Sequence, residues 1–255
     1  MNGTLVTEQL ARVIARCVHN VHVSLDGPTE EINAKMRGKG VFGGAVRGIR
    51  LLKSAGVPKV RVVTSVSSVN VAHMREMRKQ AEELGVELGT SIFAEVGRGN
   101  LHPNLSPDTD ELIRFFREEA VSLMCDSSVS DRTLLNISAG VTCGSGTLMV
   151  SVDCFGNVYP CHLFHRPEFK IGNLFQEPDL HEMLRRSAIA VQFRERTVES
   201  RKCHGCSVEH FCKGGCLAHT VAVNETAEDP WKERDPYCTV QKEVLGAQLW
   251  QIRRS

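Results

Sequence analysis

The chain carries almost no net charge: 31 lysines and arginines stand against 30 aspartates and glutamates, a balance of +1. No surface dominated by one sign is expected, which argues against nucleic acid or an anionic membrane as partner. Long hydrophobic runs are also missing, and no stretch approaches the roughly 20 apolar residues of a membrane-spanning helix. The opening residues, Met1-Asn2-Gly3-Thr4-Leu5-Val6-Thr7-Glu8, contain neither a basic segment nor an apolar one, so no secretory signal is expected there. Internal repeats and low-complexity tracts are absent. What the sequence does hold in quantity is cysteine, ten in 255 residues. Without a secretory signal those thiols belong in a reducing cytoplasm, where clustered cysteines bind metal more often than they form disulfides.

A chain of this length holds one large domain or two smaller ones, each able to bury a core. The first half alternates helical and strand patterns, the signature of βα units and a parallel sheet. Thr7 is a plausible cap for a helix with Leu10, Val13, Ile14, Cys17 and Val18 on one face. A strand at Val21–Leu25 ends in the turn signal Asp26-Gly27-Pro28. A helix built on Phe42, Ala45, Val46, Ile49 and Leu52 follows, then a strand at Lys59–Ser65. The next helix starts near Asn70, buries Met74, Met77, Ala81 and Leu84, and stops at Gly85; a third strand covers roughly Val86–Ala94. Ser106-Pro107-Asp108 opens a further helix, with proline in its permitted first position. Around Asp126–Arg132 the composition shifts to Ser and Asp, and a domain boundary is expected there. Beyond it lie eight of the ten cysteines. Thr147–Asp153 reads as a strand, Gly156-Asn157 as a hairpin turn and Val158-Tyr159 as the returning strand that delivers Cys161. Gly172-Asn173 marks another turn, before a short helix near Leu180–Ser187.

The densest chemistry lies at Cys203, Cys206, Cys212 and Cys216, spaced C-x2-C-x5-C-x3-C. Thiolates at such close, irregular spacing suit a soft metal centre. Gly214 and Gly215 allow the backbone to turn tightly and approach what the flanking thiols hold. From this run alone an iron–sulfur centre leads, with a structural zinc site or a disulfide knot as the other readings. Cys143 and Cys161 flank the hairpin, so folding it brings the two together, and Cys238 follows in Asp235-Pro236-Tyr237-Cys238. The full set is C-x12-G-x4-C, a gap, C-x2-C-x5-C-x3-C, a gap, then C.

That set resembles the seven-cysteine SPASM domain of radical S-adenosylmethionine (radical SAM) enzymes that modify peptides. Gly144-Ser145-Gly146, Asn157-Val158-Tyr159-Pro160 and Ile171-Gly172-Asn173-Leu174 agree with it. The first half is similar to the same family's barrel from its fourth strand onward, through Ser24-Leu25-Asp26-Gly27, Met36-Arg37-Gly38 and Gly97-Arg98-Gly99. The resemblance implies an α/β fold: the second half of a radical SAM (β/α) barrel over residues 1–130, then a cysteine-rich α+β SPASM domain over residues 131–255. It also implies two auxiliary [4Fe–4S] clusters, one on Cys143, Cys161 and Cys216 and one on Cys203, Cys206, Cys212 and Cys238. Ser24 and Arg37 become candidates to contact S-adenosylmethionine. The implied activity is radical-based modification of a peptide or protein in the cytoplasm. Its substrate is expected to be a ribosomally made precursor, and its electron donor a ferredoxin or flavodoxin, with no nucleic acid or membrane involved. Cys17 and Cys125 read as buried apolar thiols.

The sequence departs from the family in three places. The C-x3-C-x2-C triad that binds the radical-generating cluster is not among these residues, so the chain looks like the C-terminal two thirds of a larger enzyme. The alternative is a non-catalytic iron–sulfur module for binding or electron transfer. His162 stands where sulfatase-maturating relatives carry a catalytic aspartate, and is a candidate base or a hydrogen-bond donor to cluster sulfur. Finally, Leu134–Thr142 offers no thiol to complete the cluster on Cys143, Cys161 and Cys216, and Cys154 is placed at the hairpin tip, away from its base. The fourth ligand of that cluster is therefore left open between water, His162 and a substrate thiolate.

Overall fold

Strand β1 (Asn20–Ser24) turns Val21 and Val23 inward and His22 outward, the period-two pattern of a half-buried strand. Strand β2 (Lys59–Val66) does the same with Val60, Val62, Thr64 and Val66. Strand β3 (Glu87–Ile92) completes a parallel sheet of order β1-β2-β3, with Val23 opposite Val62 and Thr64 opposite Thr90. Each parallel pairing needs a crossover, and helices supply it. Between β1 and β2 run α2 (Glu30–Arg37) and α3 (Val41–Ser54), the latter burying Ala45, Ile49 and Leu52 completely. Full burial of Ile49 or Leu52 is worth about 1.5–3 kcal/mol each. Between β2 and β3 runs α4 (Met74–Leu84), which buries Met74, Met77 and Ala81 and closes on left-handed Gly85. This is the three-step partial barrel expected from the sequence.

The computed structural model describes residues 1–125 and 143–252. They fall into two units: Met1–Ala94 with His102–Glu111, and Glu95–Leu101 with Leu112–Ser255. The expected boundary at Asp126–Arg132 lies outside the described residues, as does Leu134–Thr142.

The second unit is built on a small antiparallel sheet of order β4-β5-β6, formed by β4 (Ser151–Val152), β5 (Asn157–Tyr159) and β6 (Gly172–Asn173). Around it stand short helices: α6 (Leu180–Arg186), α7 (Ala188–Arg194), α8 (Glu209–Cys212) and α9 (Leu217–Val223). A longer one, α10 (Cys238–Ile252), follows. Its core is aromatic. The Phe164 ring centroid lies 4.7 Å from that of Phe169, 5.0 Å from that of Phe193 and 5.9 Å from that of Trp231.

Several local expectations are corrected. Thr7 does cap α1 (Glu8–Cys17), its hydroxyl accepting from the Leu10 N–H at 3.2 Å. But α1 buries only Ala11, and Leu10, Val13, Cys17 and Val18 are exposed, so Cys17 is not a buried thiol. The side chain of Cys125 lies outside the described residues. Helix α5 (Thr109–Cys125) starts after Pro107, with the Asp108 carboxylate accepting from the N–H groups of Asp110 and Glu111. The strand expected at Thr147–Asp153 shrinks to Ser151–Val152, because the N–H groups of Thr147, Leu148 and Met149 converge on the Gly144 carbonyl. Gly172-Asn173 pairs with β5, and the expected turn runs on from Asn173, whose carbonyl accepts the Gln176 N–H at 3.1 Å; a Cβ on Gly172 would stand 2.6 Å from the Met183 sulfur, so glycine serves close packing here.

Candidate metal centre

Seven of the chain's thiols gather in the second unit in two groups. Cys203, Cys206, Cys212 and Cys238 line one cavity of about 420 Å³. Two local devices deliver them. Cys203 and Cys206 flank a turn in which the Cys206 N–H donates to the Cys203 carbonyl at 3.1 Å. Cys238 opens α10, its N–H donating to the Asp235 carbonyl at 2.9 Å. The cations Arg234 and Lys242 and the carboxylates Glu209 and Asp235 share the wall, so the cavity carries charge of both signs.

Cys143, Cys161 and Cys216 form the second group, packed on the aromatic core beside Phe193 and Leu217. Cys161 follows β5 after Pro160, and Cys216 directly precedes α9. Cys154 joins neither group: it is exposed in the tight turn between β4 and β5, where Asp153 accepts from the N–H groups of Phe155 and Asn157.

The chemistry of both groups fits iron–sulfur ligation. The Gly214 and Gly215 N–H groups lie near enough to the Cys212 sulfur, those of Ala218 and His219 to Cys216, and that of Leu163 to Cys161, to favour the thiolates, and the Gly215 N–H donates to the Cys212 carbonyl at 3.2 Å. Such donors stabilise thiolate and tune cluster potential. Lys213, Gly214 and Gly215 all take positive φ, at 49°, 85° and 71°, folding the chain back so that those donors reach Cys212. A Cβ on Gly214 would overlap the Arg201 guanidinium. Among the described residues no set of three or more His, Cys, Asp or Glu side chains is placed to hold a single metal ion.

The thiols differ in acidity. Burial pushes Cys216 up to about 11, against the backbone donors around it. Burial also acts to raise Cys161, but hydrogen bonds from His162 and the Leu163 N–H outweigh it and leave that thiol below its ordinary value. The His162 ring, with Nδ1 3.5 Å from Cys161 Sγ, is raised mainly by the same contact. In the metal-free chain, iodoacetamide at pH 8 is expected to label Cys161 well before Cys216. Only about one Cys216 in a thousand is thiolate at that pH. Accessibility alone predicts the reverse order, since Cys161 is buried and Cys216 only partly so. Peptide mapping at intermediate times checks it, and faster labelling of Cys216 counts against the His162 contact.

In the first unit, Ser24 and Arg37 stand near a buried polar network at the carboxyl ends of β1 and β2. Ser24 is half-buried at the end of β1, its N–H donating to the Met1 carbonyl at 2.9 Å. Arg37 Nε donates to Asp26 Oδ2 at 2.5 Å. Asp26 Oδ1 accepts from the Ser65 N–H at 2.8 Å, and Asn33 and Asn70 bond its backbone. Ligands of parallel α/β sheets bind at this end of the strands. Sequence reasoning missed Asp26, Asn33 and Asn70 as a unit, although Asp26 and Arg37 fall in the two quoted motifs.

Residues 143–207 match the model of the SPASM family, an iron–sulfur cluster-binding domain. The chain as a whole is similar to proteins of the radical SAM/SPASM class. It is similar to the mycofactocin maturase MftC of Mycobacterium tuberculosis (strain CDC 1551 / Oshkosh), 27% identical over 246 residues that cover 93% of this chain and 62% of that protein. The chain thus spans about 62% of the length of this curated relative. Its fold matches native anSMEcpe with bound AdoMet at a TM-score of 0.74 and 20% identity, over 100% of this chain and 72% of the other. It also matches Streptococcus suis SuiB bound to precursor peptide SuiA, at a TM-score of 0.67 and 16% identity, over 93% of this chain and 57% of the other. No helix among the described residues is long and apolar enough to cross a membrane.

Proposed function

We propose that this chain is the cluster-bearing part of a radical SAM enzyme that modifies a ribosomally made precursor peptide. The observation that carries the reading is the sorting of seven thiols into a set of four around one cavity and a set of three on the aromatic core. Cys203, Cys206, Cys212 and Cys238 hold one [4Fe–4S] cluster, and Cys143, Cys161 and Cys216 hold the other. When bound, the clusters and S-adenosylmethionine supply one-electron chemistry.

The chain's own residues bind and orient. Ser24 and Arg37 hold the amino-acid end of S-adenosylmethionine, and the Asp26 carboxylate fixes the Arg37 guanidinium for that task. His162 donates to the sulfur of Cys161 and steadies it as a ligand, a role its contact favours over that of a general base. The peptide reading is supported by the likeness to a maturase and to a fold solved with a precursor peptide. The reductant is a ferredoxin or flavodoxin, and the compartment is the cytoplasm.

Anaerobic reconstitution tests the foundation. It is expected to load about eight iron and eight sulfide per chain, with a broad absorbance near ~400 nm. Tightly held zinc without acid-labile sulfide overturns the reading.

A further inference from the structure

Asp235 is 5% exposed, and its oxygens are spent on the backbone of ligand-bearing segments. Oδ2 accepts the Cys216 N–H at 2.6 Å. Oδ1 accepts the Tyr237 N–H at 2.7 Å, and the main-chain carbonyl accepts the Cys238 N–H at 2.9 Å, which together start α10. The approach is tight: a Cβ added to Gly215 would stand 2.6 Å from Oδ2. Arg201 and His219, both buried, face the carboxylate. Arg201 is itself held by Thr220 Oγ1 at 3.1 Å and the Glu233 carbonyl at 3.0 Å. One buried carboxylate thus touches the backbone of Cys216, from the set of three, and of the segment that presents Cys238, from the set of four.

We propose that Asp235 is the positioning residue that holds a ligand of each cluster in register, Cys216 through Oδ2 and Cys238 through the turn that opens α10. The inference rests on the two-cluster reading above. It also says which oxygen serves which site. The bond to Tyr237 is an Asx-turn, the local geometry that asparagine forms as readily as aspartate. Asparagine at 235 therefore keeps its carbonyl oxygen on the Tyr237 N–H and turns its NH2 towards the Cys216 N–H. Two donors then oppose each other, and the Cys216 backbone loses its acceptor.

The test compares iron and sulfide per chain after anaerobic reconstitution, with far-UV circular dichroism as the check on folding. Asp235→Asn is expected to lose about half the iron. In a Cys143→Ala chain, which retains only the cluster of the four-thiol set, Asp235→Asn is expected to change nothing. In a Cys203→Ala chain, which retains only the other cluster, it is expected to lower the remaining iron at least fivefold. Asp235→Ala, which removes both side-chain acceptors, is expected to lower total iron at least fivefold. General loosening of the unit lowers both sites together and cannot produce the split between the two backgrounds, so an equal loss in both overturns the proposal. So does an Asp235→Asn chain with its full iron. A wild-type chain that takes up no iron overturns the cluster reading itself, and with it this assignment.

Discussion

Replacing Cys212 with alanine is expected to strip the chain of one whole cluster, about half its iron, while the other stays loaded. The cavity of about 420 Å³ is lined by Cys203, Cys206, Cys212 and Cys238, and no fifth cysteine among the described residues lines it. Cys216, the next thiol along the chain, has its sulfur near the Ala218 and His219 N–H groups and packs on the aromatic core. Its N–H is also held by the Asp235 carboxylate at 2.6 Å, so moving to replace Cys212 would break that contact. In the variant, the Gly214 and Gly215 N–H groups lose the sulfur they lie near, but the left-handed run that places Cys216 keeps its backbone. Iron and sulfide should fall from about eight each to about four each. A fall to zero means that the two groups load as one site, and the division into four and three thiols is wrong.

The second large effect is structural. Asp26→Ala is expected to weaken the parallel-sheet unit by about 2–4 kcal/mol. The Asp26 side chain is 1% exposed, and its removal leaves the Ser65 N–H without an acceptor and the Arg37 guanidinium without a counter-charge. Arg37 is 30% exposed, so water recovers part of the second loss and the figure stays below that of a fully buried pair. Hydrogen exchange is the suitable readout, because the amides of β1 and β2 report this unit alone. Their protection should drop about a hundredfold, the equivalent of roughly 2.7 kcal/mol. Asp26→Asn keeps an acceptor for Ser65 and should lose less. Unchanged protection in the alanine variant shows that the network contributes nothing.

The cysteine run was legible in the sequence, because spacing is a local property, whereas the division of the candidate ligands into a set of four and a set of three came from the resemblance. The parallel sheet was legible for a related reason: Val21, Val23, Val60 and Val62 mark strands whose inward residues are apolar except for Thr64. Helix α2 was not seen. Its eight residues bury only Asn33, so there is no apolar stripe to read, although Thr29 caps it in the usual way. The long hairpin strand was an error of the opposite kind. Leu148, Val150 and Val152 alternate as a strand would, but the Gly144 loop claims the first part of the run and leaves Leu148 73% exposed. Asp235 could not have been found from its surroundings in the chain. An aspartate before proline looks like an ordinary turn residue, and its contact with Cys216 spans 19 positions.

The late position of Asp235 and Cys238 also bears on synthesis. A chain still emerging from the ribosome displays six of the seven thiols once Cys216 is made, yet neither set has its full support. The four-thiol group waits for Cys238, and the Cys216 backbone waits for the Asp235 carboxylate. Domains fold as they leave the ribosome, N-terminal parts first, so the parallel sheet can form while the cysteine-rich unit is still open. Nascent or prematurely ended chains are thereby poor iron acceptors. Cluster loading is thus expected to wait until the chain has been made at least through Cys238.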